Sequence, residues 1–137
     1  MRRIACAALI LAAAACGGDK STAPKRIEGT YAMKSIDGQG LPMTFYDDQA
    51  SGGEKVEVLS GSMTLSSDGT FSAPWSLRVT SGGTVFPYSE TCTGTYTRSG
   101  NSITREETDG TWCGGTYNMD WDGDKTLIEE NLIVYMR

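Results

Sequence analysis

The chain has 137 residues, 39% of them apolar and 21% charged, with 12 basic against 17 acidic side chains and no histidine. That length suits one globular domain and leaves no room for a second, and the composition is not that of a disordered chain. Without histidine there is no Ser-His-Asp or Cys-His relay, no imidazole base at neutral pH and no histidine-liganded zinc. The sequence therefore reads as a non-enzyme with no cofactor and no metal site, and its acidic balance sets it against phosphate backbones, so no nucleic acid is expected as a partner.

The amino end differs from the rest. Met1-Arg2-Arg3 supplies a positive start and Ile4 to Ala15 an uninterrupted apolar run, too short to cross a bilayer, which takes about 20 apolar residues. Residues 1–15 are read as a signal peptide. Leu11-Ala12-Ala13-Ala14-Ala15-Cys16 resembles the lipobox of bacterial lipoproteins. The resemblance implies that Cys16 is lipidated and becomes the mature amino terminus. The protein would then be anchored in the bacterial cell envelope, at the outer membrane, on its periplasmic face or at the cell surface. Residues 16–26 (Cys16 followed by small polar residues) read as the lipidated cysteine and a flexible tether, and 27–137 as the folded domain. Removing Arg2 and Arg3 leaves 10 basic against 17 acidic side chains, a formal charge of −7.

Within the domain, strand-like stretches recur between turn signals: Gly29 to Ile36, Leu41 to Tyr46, Val56 to Ser66, Thr70 to Thr80, Val85 to Thr97, Ser102 to Glu107, Thr111 to Trp121, Thr126 to Glu129 and Leu132 to Met136. Asp68-Gly69, Gly100-Asn101, Asp109-Gly110 and Asp122-Gly123 offer the positive φ that tight hairpins need. In Thr70 to Thr80, Phe71, Ala73, Trp75, Leu77 and Val79 share one face, the mark of a half-buried strand. Pro74 removes one ladder donor from the other face, which predicts a bulge or an edge there. A Gly-Thr-aromatic triplet opens several strands at spacings with no common period, which excludes a propeller or solenoid. Consecutive hairpins predict an all-β, antiparallel up-and-down barrel of about eight or nine strands, with a two-sheet β-sandwich as the alternative.

Glu28-Gly29-Thr30-Tyr31 through Asp37-Gly38-Gln39-Gly40-Leu41-Pro42, Gly61 to Phe71, and the ending Val134-Tyr135-Met136-Arg137 resemble bacterial lipocalin-like lipoproteins. The resemblance implies a barrel whose interior binds a small apolar ligand, with Tyr31, Met63, Phe71, Trp75, Phe86 and Tyr96 as ligand-binding candidates. It also implies that Arg137 covers the closed end against Tyr31. The alternative is a barrel filled by its own side chains, as small eight-stranded barrels can be.

Cys6 lies in the discarded run and Cys16 takes the lipid, so Cys92 and Cys113 remain as one disulfide pair in an oxidising compartment, a cross-link worth about 3 kcal/mol. If Gly100 and Gly110 each make a tight turn, an intervening strand would hold the two cysteines apart. Either both cysteines sit at one rim and loops draw them together, or residues 99–111 project as a flap and the flanking strands pair directly. Asp120, Asp122 and Asp124 alternate like the start of a calcium loop, but Lys125 and Asn131 break the pattern, and a solvated turn is the plainer account. Asp47-Asp48 and Glu106-Glu107 read as solvated strand ends. Trp112 and Trp121 either form a rim platform near the disulfide or pack in the core.

Two functions follow as expectations. The first is a membrane-anchored envelope protein whose lipocalin-like barrel carries a small apolar ligand or serves as a structural module. The second is an envelope inhibitor or adhesion module that binds another protein through rim loops 47–54 and 81–90.

Overall fold

The period-two alternation of the sequence becomes a wall with a dry inner face and a wet outer one. The computed structural model describes residues 25–111 and 113–137; the signal segment, Cys16, the tether as far as residue 24, and Trp112 lie outside the described residues. The elements are β1 (Gly29–Ile36), β2 (Gln39–Gly40), β3 (Met43–Asp47), a 3₁₀ turn (Gln49–Ser51), β4 (Glu54–Leu65), β5 (Thr70–Ser81), β6 (Thr84–Ser99), β7 (Ser102–Asp109), β8 (Gly115–Trp121), β9 (Thr126–Glu129) and β10 (Ile133–Met136).

From β4 to β10 each strand pairs antiparallel with the next, β10 returns to β1, and β1 pairs with β4 from Gly29–Leu65 to Ala32–Ser62. That last ladder closes an eight-stranded antiparallel barrel, with β2 and β3 as additional strands. The two-sheet sandwich is thereby set aside. The expected strand Leu41 to Tyr46 is observed as β3, which begins at Met43 after a cis Leu41–Pro42 bond and is preceded by the short β2. The expected strand from Thr111 begins only at Gly115; Gly110, Thr111, Cys113 and Gly114 lie outside any strand. Pro74 lies in a strand paired on both sides, so it marks no edge. The β4–β5 pairing stops at Gly61–Trp75, resumes at Thr64–Ser72, and slips by one residue between Val58 and Ser60.

Inside the barrel, Tyr31, Met63, Leu127 and Tyr135 are wholly buried, and Ile27, Met33, Leu65, Phe71, Ala73, Ile103, Met119 and Trp121 pack around them. Gly61 makes room in this packing, since a Cβ there would stand 2.7 Å from the Met33 Cε. Burial of this set supplies the main cohesive term, at about 1.5–3 kcal/mol per large apolar side chain before the entropic cost of ordering the chain.

The two ends of the barrel differ. At one, the β4–β5, β6–β7 and β8–β9 hairpins gather with residues 25–28 and the carboxyl-terminal Arg137. Arg137 donates to the carbonyls of Glu28 (2.9 Å), Arg26 (2.7 Å) and Asp124 (2.9 Å), and its guanidinium lies 4.9 Å from the Tyr31 ring centre. The Tyr31 hydroxyl in turn donates to Ile27. Arg137 thus covers the closed end, as expected. At the other end the wall is uneven. β1 leaves β4 after Ala32–Ser62, while β4, β5 and β6, the longest strands at 12, 12 and 16 residues, run on past the barrel. β3 pairs along the free edge of β4, so a four-stranded sheet, β3-β4-β5-β6, stands above the mouth.

Candidate functional site

The projecting sheet inherits its inner face from the barrel wall. Register aligns Tyr46, Val56, Val79 and Phe86 across the four strands, and one row closer to the barrel Met43, Val58, Leu77 and Tyr88. Exposure rises along this face: Val58 is 1% exposed, Leu77 and Val79 are half-buried, and Tyr46 and Phe86 reach 51%. On the opposite face Val85 is 56% exposed, and Phe45, standing in a bulge of β3, is 63% exposed. Four of the six exposed large hydrophobic residues among those described therefore cluster at this tip. Scattered exposed apolar residues are ordinary; here two stand on each face of one short sheet end.

The physical cause is length. Within the barrel, each inward residue is covered by the far wall. Beyond Gly61 and Trp75 the β1–β4 ladder has ended; Val58 is still covered, Val79 is half-buried, and at the summit the same alternation presents Tyr46 and Phe86 to solvent. The Gly82-Gly83 turn, with φ of 56° and 79°, fits the two-residue β5–β6 hairpin at the summit. On the outer face Glu57 accepts a bidentate pair from Arg78 (2.7 and 2.9 Å) and meets the Lys55 ammonium at 3.3 Å. The Arg78 hydrogen bond, helped by Lys55, lowers the Glu57 carboxyl to about 2. Both cations of the tip are thus turned to Glu57, whereas Asp47, Asp48 and Glu54 lie around the β3–β4 connection. The Asp48 carboxylate raises the Tyr46 hydroxyl above its usual value.

The barrel interior holds a second polar arrangement that the sequence reading did not name. Arg105, 4% exposed, donates to both oxygens of Glu129 at 3.2 and 2.7 Å and to Glu107 as well. Its guanidinium also lies 4.4 Å from the Tyr117 ring centre. One cation is shared by two carboxylates whose side chains are each 5% exposed. Burial raises the Glu129 carboxyl, with Arg105 opposing the rise. The Tyr135 hydroxyl, raised by burial and by Glu129, has no hydrogen-bond partner among the described residues. Glu107 is therefore not a solvated strand end. Ile103, Arg105 and Glu107 alternate in β7, and that alternation was the signal available in the sequence.

Cys92 and Cys113 form a disulfide with Cα atoms 5.5 Å apart. Thr93 pairs with Asp109 at the end of β7, so Cys92 lies just beyond the intervening strand, where Cys113, just before β8, meets it. The rim arrangement holds, and the flap does not. Thr111 N donates to Glu90 at 2.7 Å and Gly114 N to Glu107 at 2.8 Å, fixing the loop at both ends. Cys92, Cys113 and Glu107 cluster closely, but both sulfurs are engaged with each other. Asp122 Oδ1 accepts from the backbone N–H of Asp124, Lys125 and Thr126. These bonds, that of Thr126 first, hold its carboxyl at about 2, so Asp122 organises the β8–β9 turn.

The six residues proposed for ligand contact are divided by the structure. Tyr31, Met63 and Phe71 are interior packing, and Tyr96 is half-buried near the closed end with its hydroxyl donating to Ser66. Trp75 stands half-buried where the projecting sheet leaves the barrel, and Phe86 is out on the tip. Trp121 is 3% exposed at the closed end beneath Arg98, one full strand away from the disulfide, so it is no part of a rim platform. Two depressions open on the outer wall, one lined by Thr95, Thr97, Thr104 and Thr116, the other by Ser60, Ser62, Ser76 and Ser89. No family model matches this chain, and no curated protein or solved structure is significantly similar to it.

Proposed function

We propose that this chain is a non-enzymatic, lipid-anchored protein of the bacterial cell envelope whose filled barrel presents the projecting β3–β6 sheet to another protein. The observation that carries the reading is the concentration of Phe45, Tyr46, Val85 and Phe86, each more than half exposed, on one elevated sheet. Aromatic residues on a rigid support are what protein interfaces use as anchors. Tyr31, Met63 and Phe71 are already covered by neighbours, which favours this reading over carriage of a small apolar ligand among them. The paired carboxylates Glu107 and Glu129 are enclosed and bound to Arg105, out of reach of a bulky substrate. Lys25 and Arg26 lie at the closed end, bonded through their carbonyls to Arg98 and Arg137. An anchor at Cys16 would therefore leave the tip facing away from its membrane.

The test is site-specific photo-crosslinking in intact cells, with a benzophenone side chain at Phe86, at Phe45 and, as a wall control, at Thr116. A discrete crosslinked protein from the tip positions and not from Thr116 is expected, lost when Tyr46→Ser is added. No tip-dependent product, together with a small apolar molecule retained by the purified protein in native mass spectrometry, would return the assignment to a carrier.

A further inference from the structure

We infer that the tip takes its partner as an added strand: an extended segment alternating basic and apolar residues, laid antiparallel along the free edge of β3. The inference rests on the protein-binding reading and names the chemistry of the partner.

Three observations converge on β3. It is the last strand of the sheet order, paired with β4 on one side and with no strand on the other among the described residues. An edge of this kind presents unpaired backbone donors and acceptors to an incoming chain. Four of its five residues, Thr44 to Asp47, are exposed, so among the described residues the strand lies open to solvent. Tyr46 also begins the apolar row that continues through Val56 and Val79 to Phe86, offering a surface for the side chains of an added strand.

Charge selects the segment. Lys55 and Arg78 are both drawn onto Glu57, and Asp47, Asp48 and Glu54 remain around the end of the edge within a chain of net charge −5. A basic segment gains from that field, while a second copy of the chain brings the same aspartates to its own edge. The bulge between Thr44 and Tyr46 adds to this discrimination, because bulged, charged edges resist pairing with themselves. A peptide with lysines on one face and valine or phenylalanine on the other satisfies the carboxylates and the apolar row together.

The experiment uses the chain from Gly17 with its disulfide intact and three fluorescent ten-residue peptides. One alternates Lys with Val and Phe, one replaces every Lys by Glu, and one keeps the Lys sequence but is N-methylated at alternate amides. The Lys peptide is expected to bind. The Glu peptide should bind at least about ten-fold more weakly. N-methylation should cost about thirty-fold, since two lost backbone hydrogen bonds at about 1 kcal/mol each correspond to that factor. Asp47→Asn with Glu54→Gln should weaken the Lys peptide and strengthen the Glu peptide, with thermal unfolding confirming the fold. Equal binding of the N-methylated peptide would overturn strand addition, and equal binding of the Glu peptide would overturn the basic partner. A concentration-dependent dimer that protects β3 amides would overturn the inference in favour of a second copy. If none of the peptides binds while the tip crosslinks persist in cells, this inference fails and the protein-binding reading stands; loss of both removes the two together.

Discussion

Replacing Arg105 by methionine keeps most of the volume and removes the cation that, among the described residues, pairs with two enclosed carboxylates. Glu129 loses two hydrogen bonds, at 3.2 and 2.7 Å, and Glu107 loses its ion pair. Breaking a buried pair by removing one partner costs about 3–5 kcal/mol, because a charge is left without compensation. For a domain of this size that corresponds to a fall in Tm of roughly 12–30 °C, a large share of the stability of an ordinary domain. The loss depends on pH in a defined direction. Burial already raises the Glu129 carboxyl above its ordinary value, and removing Arg105 takes away the group opposing that rise. A carboxyl whose folded-state pKa lies above the unfolded one favours the fold most below the unfolded value, about 4.3. That contribution disappears as pH rises through the folded-state value. Arg105→Met should therefore be most destabilised near pH 7.5 and recover part of its loss towards pH 5, and adding Glu129→Gln should restore part of it at pH 7.5. Urea unfolding followed by tryptophan fluorescence, with the disulfide intact, measures all of these. A single variant within about 1 kcal/mol of the parent at both pH values would refute the account of the cluster as a coupled, buried unit.

Gly94→Ala places a Cβ 1.9 Å from the Glu106 carbonyl oxygen and 2.9 Å from the Phe71 ring, so backbone must move at the β6–β7 bulge; thermal unfolding should show a loss of about 1–3 kcal/mol. Arg137→Met removes the donor to three carbonyls and uncovers Tyr31; a loss of about 1–2 kcal/mol is expected, with amide exchange accelerated around residues 26–31 and unchanged at the tip. Asp122, held at about 2 by backbone donors, has a folded-state pKa below its unfolded value, so its contribution is present above about pH 4 and is lost as pH falls towards 2. Asp122→Asn should flatten the acid limb of the stability curve over that window, and carbon-detected NMR titration of the carboxyl checks the value directly.

Most of the barrel was legible because its instructions are local. β1 and β9 have the boundaries their alternation and turn signals predict, and the Asp68-Gly69 turn joins β4 to β5 as read. Arg137 lies against Tyr31 at the closed end, where the ending Val134-Tyr135-Met136-Arg137 led it to be expected. Three features depended on information that no local window contains. The ends of β4–β6 alternate just as their middles do, so periodicity could not reveal that β1 leaves β4 after Ala32–Ser62 and that Tyr46 and Phe86 stand uncovered. Glu107 looked like a solvated strand end because its partner Arg105 is two residues away on the same strand, while the second carboxylate, Glu129, arrives from β9 across the barrel. Trp121 and the disulfide seemed neighbours in the sequence, yet β8 carries them to opposite ends.

The same inequality of strand lengths that exposes the tip also makes it a usable surface. A sheet that left the barrel as a single hairpin would fray, since an isolated two-stranded ribbon is marginal in water. Here four strands leave together: β5 and β6 pair without a break from Thr70–Thr95 to Ser81–Thr84, and β3 returns along β4 after the cis Leu41–Pro42 bond. Leu41 and Met43 meanwhile pack onto the core at the root of the projection. The disulfide ties Cys92, in the middle of β6, to the rim loop, so the longest strand is held where its supported half becomes its projecting half. Rigidity at the base and exposure at the summit therefore have one origin. A partner meeting Tyr46 and Phe86 would find them already placed, and ordering costs little when the binding surface is pre-organised.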